Sequence, residues 1–214
     1  MTLVDLRPHL PPIRDQGLTR GTCLAFAATT SHEHGRGPAI TDLATEALFY
    51  AAKQSEGNRE DGTSLRAIYR ALRDDGQPEE TAWRYDPDLD IRDPGYGPPD
   101  GSFTAADCRR ATLRRVDADL PAIHVELDHG NVVVIGLELW EAFELRQEDE
   151  LDLPGPDELN GNMHAVAVVG YDDDRGRLLI RNSWGTDWGE DGYAWLPDDL
   201  VLYILAAAAI DQIH

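Results

Sequence analysis

The chain changes texture part-way along, and that change restricts the folds open to it. Residues 86–101 (DPDLDIRDPGYGPPDG) are dense in proline, glycine and aspartate, which interrupt helices and strands alike. Before this stretch, apolar residues recur at helical spacing. Leu65, Ile68, Tyr69 and Leu72 share one side of a segment that runs from Ser64 to Asp75 and stops at Gly76. Thr22–Thr30 (TCLAFAATT) reads as an Ala-rich helix with Thr22 as its N-cap. A second helix is expected to open at Pro38 and Thr41 and run through Ala52, with KQSEGNREDGTS as a loop after it. Beyond the break, β-branched runs predict strands at Asn131–Leu139, Ala165–Tyr171, Arg177–Asn182 and Gly192–Leu196. DDDRG joins the second and third as a hairpin turn. Helices first and strands second predict an α+β protein rather than alternating βαβ units.

Charge narrows the function classes. The 214 residues carry 19 Lys and Arg against 40 Asp and Glu, a net charge of −21. A nucleic-acid binder needs a basic face to neutralise phosphates, so no nucleic-acid partner is expected. An anionic membrane surface would repel the chain for the same reason. The longest apolar run, Leu200–Ile210, is 11 residues, short of the roughly 20 that a membrane span needs; it reads as a buried terminal element. The start, MTLVDLRPHLPP, has no apolar signal core. Two cysteines, Cys23 and Cys108, make no disulfide scaffold. Free thiols and a cytoplasmic location are therefore expected.

Chemistry concentrates at three positions. Cys23 stands at the start of a predicted helix, where exposed amides and the positive dipole end favour a thiolate. A lone cysteine is more often a small buried hydrophobe, and Cys108 keeps that reading. A thiolate nucleophile needs an imidazole, and the imidazole needs a group to orient it. His164 precedes the strand AVAVVG. Asn182 follows the strand LLIRN across the hairpin, so the turn folds the two side by side. The asparagine oxygen can accept the imidazole N–H and set its tautomer. Each residue alone is an ordinary polar group; the three together point to nucleophilic catalysis.

Three stretches around these positions, RDQGLTRGTCLAFA (Arg14–Ala27), NMHAVAVVGYD (Asn162–Asp172) and IRNSWGTDWGEDGYAWL (Ile180–Leu196), resemble the papain family of cysteine peptidases. EDGTSLRAIYRAL and VVVIGLELWEAF are weaker matches. The resemblance implies one papain-like, two-lobed α+β domain over residues 1–214. Residues 16–115 would form the helical half. Residues 1–15 and 116–214 would form an antiparallel, β-barrel-like half, with the cleft between the two. It implies Cys23 as nucleophile, His164 as base and acid held as imidazolium, and Asn182 as the residue that orients it. Gln16 and the backbone N–H of Cys23 would form the oxyanion hole, and Trp184 would shield the His–Asn contact. Gly62, Thr63, Asn162, Met163, Ala165 and Trp184 would bind substrate. No cofactor and no metal are expected. The expected partner is a peptide or protein substrate, hydrolysed through an acyl-enzyme. Acyl transfer from the same thioester, or a catalytically weak peptide- or partner-binding module, are the alternatives. Cys23 comes where the mature enzymes of the family begin. A bacterial-type member without a pro-region is therefore expected, with a regulatory protein partner as one means of control.

The chain also departs from the family pattern. Six residues separate Gln16 from Cys23 where the family has five. Arg20 stands where the family has a cysteine, so the disulfide of that loop is absent. Leu24 replaces a tryptophan, and Met163 replaces an acid or amide. His32-Glu33-His34 is expected on a solvated helix rather than as a metal site, because positions i and i+2 point apart. Asp172–Asp174 reads as an exposed turn. Glu148-Asp149-Glu150 reads as a solvated patch that biases the cleft toward cationic substrates.

Overall fold

In a computed structural model, which describes residues 2–37, 42–145, 150–155 and 157–214, the first helix starts at Cys23. This helix, α1, spans Cys23–Gly35. Thr22 does not cap it through its side chain; the hydroxyl lies 2.7 Å from the Tyr85 phenol oxygen instead. Helix α2 spans Thr45–Glu56, four residues beyond Ala52. It stops where Gly57 takes the left-handed conformation, φ 68°. The expected start at Pro38 and Thr41 lies outside the described residues. Helix α3, Leu65–Asp74, begins as expected, with Ser64 Oγ accepting from the N–H of Ala67. It turns Ala67, Ile68, Ala71 and Leu72 inward and leaves its arginines outside.

The strands form one antiparallel sheet. They are β1 (Leu3–Asp5), β2 (Ala111–Val116), β3 (Val133–Trp140), β4 (Leu159–Asp172), β5 (Arg177–Arg181), β6 (Tyr193–Pro197) and β7 (Ile204–Ile213). Their order is β2-β7-β3-β4-β5-β6, and β1 pairs with the far end of β4. Among the described residues no pairing joins β2 to β6, so the sheet is open rather than barrel-closed. β1, β2 and helix α4 (Leu120–Asp128) carry no strong pattern and were not expected. The terminal run Leu200–Ile210 divides: Asp198–Tyr203 forms a 3-10 turn, and β7 follows.

Alanine explains how the two halves meet. Ala25, Ala27 and Ala28 of α1 and Ala165 and Ala167 of β4 are buried. Small side chains let a helix lie close on a sheet. Ala27, Val134 and Ala165 pack together, with Cys23 and Leu24 against them. This presses the first turn of α1 onto β4 at the residue after His164. The larger cluster fills the other side of the sheet with Ile135, Leu137, Leu178, Ile180, Leu196 and Trp140. Each fully buried aliphatic or aromatic side chain contributes about 1.5–3 kcal/mol, so the strand that carries His164 and the strand that ends just before Asn182 are firmly held.

The expected solvated helix at 32–34 is a correction. His32 and Glu33 are fully buried. His32 Nδ1 lies 2.9 Å from Gln77 Oε1, and Glu33 receives a bidentate contact from Arg14 at 2.9 and 3.0 Å. Both polar groups found partners far along the chain, which periodicity does not report. Asp172–Asp174 does form the turn, with Asp172 Oδ1 accepting from the N–H groups of Asp174 and Arg175. Of the acidic patch, residues 148 and 149 lie outside the described residues; Glu150 pairs with Arg175 and Arg177.

Candidate active site

Strand register brings His164 and Asn182 together. His164 sits opposite Leu137 on β3, while Ala167 pairs with Arg181 on β5. Asn182 is therefore the next residue past β5, at the same end of the hairpin as His164. His164 Nε2 lies 2.7 Å from Asn182 Oδ1. That oxygen also accepts from the N–H of Ser183 at 2.8 Å, which fixes the amide's orientation. Because Oδ1 can only accept, Nε2 carries the proton, and Nδ1 is the nitrogen left for chemistry. The His164 ring lies 4.5 Å from the Trp184 ring and 6.0 Å from that of Phe143, and both are buried or half-buried. Indole and phenyl thus keep water from the 2.7 Å contact, which strengthens it.

Cys23 and His164 line one cavity of about 230 Å³ between α1, α3 and the sheet. Burial pushes the Cys23 thiol up; the backbone N–H groups of Ala165 and Leu24 oppose this, and Asp61 adds to it. Burial holds the His164 imidazole down at about 4, against the pull of Asn182. Each group taken alone is therefore pushed toward its neutral form. A proton passed from thiol to imidazole leaves the net charge unchanged, and the two charges so formed attract each other in a dry site.

Of the residues expected to bind substrate, Gly62, Thr63, Met163 and Ala165 line this cavity. Asn162 does not; it is exposed on β4 before the cavity begins. Trp184 does not line it either and packs on the far side of His164. Leu24, Leu65, Val134 and Ala206 complete an apolar wall that the sequence did not suggest.

Gln16 is buried beside the cavity rather than among its lining residues. Its Oε1 accepts from Ser183 Oγ at 2.7 Å, and its Nε2 donates to the Arg20 carbonyl at 2.9 Å. One Nε2 hydrogen remains. The extra residue between Gln16 and Cys23 is taken up in a bulge. Gly17 adopts φ 74° and Leu18 is fully exposed at the tip. Tyr85 spans the loop, donating to the Gln16 carbonyl at 2.9 Å and meeting Thr22 Oγ1 at 2.7 Å.

Arg20 anchors the middle of that loop, a role not read from the sequence. Its guanidinium reaches both oxygens of Glu46, at 2.6 and 2.7 Å, and the Asp86 carbonyl at 2.7 Å. Tyr96 donates to Glu46 Oε1 at 2.7 Å. The ion pair is buried, and it holds the Arg20 pKa above its usual value against the cost of burial. Gly21 is needed at the next position, since a Cβ there would sit 2.6 Å from the Gly62 nitrogen. Lys53 holds the 57–63 loop against this contact through Asn58 Oδ1 and the Gly62 carbonyl, at 2.7 and 2.9 Å. No cluster of metal-ligating side chains occurs among the described residues.

Comparison with known proteins gives the same reading of the fold. A family model described as papain family cysteine protease matches residues 2–201. Cathepsin L of Sarcophaga peregrina is 28% identical over 203 residues, which cover 89% of this chain and 57% of that protein. Peptidase 1 of Dermatophagoides pteronyssinus is 28% identical over 216 residues, 94% of this chain and 62% of that protein. The chain thus spans about three fifths of the length of these curated relatives. Among solved structures, xylellain, a cysteine protease from Xylella fastidiosa, is similar with a TM-score of 0.82 and 27% identity. That match covers 99% of this chain and 86% of the other. Digestive procathepsin L 3 of Tenebrio molitor, at 22% identity and a TM-score of 0.78 over 99% of this chain and 70% of its own, shares the fold.

Proposed function

The chain belongs to the papain family of cysteine proteases, and from that membership and the cleft geometry we propose that it is a peptidase whose nucleophile is the Cys23 thiolate. The observation that carries the reading is the 2.7 Å contact between His164 and Asn182, made at the wall of the cavity that Cys23 shares. His164 takes the thiol proton on Nδ1 while Asn182 holds Nε2–H. Sulfur attacks the peptide carbonyl. The oxyanion is met by the remaining Nε2 hydrogen of Gln16 and by the N–H of Cys23. The imidazolium then gives its proton to the leaving amine. Water, deprotonated by His164, hydrolyses the thioester and releases sulfur. An apolar substrate side chain fills the wall formed by Leu65, Val134, Met163 and Ala206.

The test has two readouts. Intact Cys23 should alkylate rapidly well below the thiol's usual range, because a histidine-paired cysteine titrates at about 3–4. In His164→Ala the imidazole is gone and burial outweighs the backbone N–H groups, so alkylation should move to alkaline pH. Peptide hydrolysis should be lost in both Cys23→Ala and His164→Ala. If the intact chain alkylates only in the alkaline range and cleaves no peptide, the binding-module reading replaces this one. If an added amine captures the acyl group in preference to water, acyl transfer replaces hydrolysis.

A further inference from the structure

Arginines gather on one face of this acidic chain. Arg66, Arg70 and Arg73 lie on α3, and four more arginines stand at 109–110 and 114–115, on and just before β2. These two elements pack together. These segments thus hold seven of the chain's 19 basic residues and only two of its acidic ones, Asp74 and Asp75, against a net charge of −21 overall.

Between α3, β2 and β7 this face holds a groove of about 480 Å³. Leu113, Leu205 and Ala207 give it an apolar floor, and Leu205 is 59% exposed. Arg66 and Arg115 stand over it. Both are exposed, and neither makes an ion pair or side-chain hydrogen bond among the described residues. Arg114, their neighbour, is already engaged by Glu126 and Asp211. A guanidinium pairs readily with carboxylates, in a planar two-pronged geometry. Two left unpaired in a chain with 40 acidic residues are available to carboxylates from outside. The groove also shares Leu65 and Ala206 with the cavity beside Cys23, so an extended peptide can lie across both.

We propose that this groove docks an acidic segment of the peptide substrate. Its carboxylates pair with Arg66 and Arg115, its apolar side chains lie on Leu113 and Leu205, and the adjoining residues reach the cavity beside Cys23. The word substrate rests on the peptidase reading; the docking itself does not. Net charge would favour cationic peptides at long range. Within a Debye length of about 8 Å, however, the nearest fixed charges decide.

Binding is read without turnover, by fluorescence anisotropy on the Cys23→Ala chain. The probes are a labelled peptide of alternating Glu and Leu and its Gln-for-Glu counterpart. The Glu peptide should bind about ten-fold more tightly, from charge complementarity. That advantage should fade at about 0.5 M salt. R66E/R115E should abolish it while the thermal midpoint stays near the parent's, and R66Q/R115Q serves if the reversal does not fold. Equal binding of the two probes overturns the proposal, as does a Glu-peptide affinity unchanged in the double variant. Dextran sulfate binding as tightly as the Glu peptide replaces the peptide with a general polyanion. If the double variant instead dissolves a dimer seen by sedimentation, the face is a contact between copies. A chain that binds the Glu peptide yet cleaves nothing overturns the peptidase reading and leaves the docking site standing. One that cleaves without discriminating does the reverse.

Discussion

A buried ion pair, not a covalent link, holds the loop that joins Gln16 to Cys23. Arg20 and Glu46 sit 26 positions apart, and both are buried. Removing one partner leaves an uncompensated buried charge, whereas replacing both by apolar groups removes the charge with its cost. Arg20→Met or Glu46→Gln alone should therefore cost about 3 kcal/mol in urea unfolding. Arg20→Met/Glu46→Leu should recover most of that stability. It should not recover kcat, because the loop loses its anchor to the Asp86 carbonyl and Gln16 loses its fixed partner. Full kcat in the double variant would show that the pair only stabilises. At this scale the proposed set of Cys23, His164 and Asn182 could be picked from the sequence, since each lies in a motif with characteristic neighbours. Arg20 was legible only as a residue out of pattern. Its acceptor lies on another helix, and no local spacing announces such a pairing.

Secondary-structure elements are joined by polar contacts as well as by apolar packing. His32 on α1 contacts Gln77, whose amide also reaches Thr29 Oγ1 and the Ala44 carbonyl, at 2.9 and 3.2 Å. One amide thus ties α1 to the start of α2. Burial holds the His32 pKa down at about 4, against its usual 6.5. The unfolded chain therefore binds a proton that the folded one refuses. Stability is present above 6.5 and is lost as pH falls from there toward 4. The linkage amounts to about 2 kcal/mol between about pH 7.5 and about pH 5. Unfolding free energies from urea titrations at those two pH values should differ less in His32→Gln than in the parent by that amount. An equal difference in both would remove His32 from the account. α3 and the central strands were legible because their patterns are strong, with apolar residues at helical spacing in one and unbroken β-branched runs in the others. β1 and β2 were not. They are a short strand and an edge strand whose partners are β4 and β7, so pairing rather than composition makes them strands.

Across the whole molecule, the charge of −21 sets a repulsion that the arginine face only partly offsets. Self-repulsion destabilises a compact state and is screened by salt. The thermal midpoint should rise between low ionic strength and about 0.5 M sodium chloride, by about 3 °C or about 1 kcal/mol for a chain of this size. A fall would mean that exposed ion pairs outweigh the repulsion. At this scale the sequence by itself determined the α+β class, the choice of Cys23, His164 and Asn182 on which the proposed mechanism rests, and the resemblance to the papain family. Those depend on local periodicity and on short motifs, which are properties of neighbouring residues. Only the tertiary structure decided that the sheet stays open, that His32 and Glu33 are buried, that the extra residue before Cys23 bulges out at Leu18, and that Arg66 and Arg115 share a groove beside the cavity. Each of those depends on groups tens of residues apart meeting in space, and the free energy of such meetings is written in no single stretch of chain.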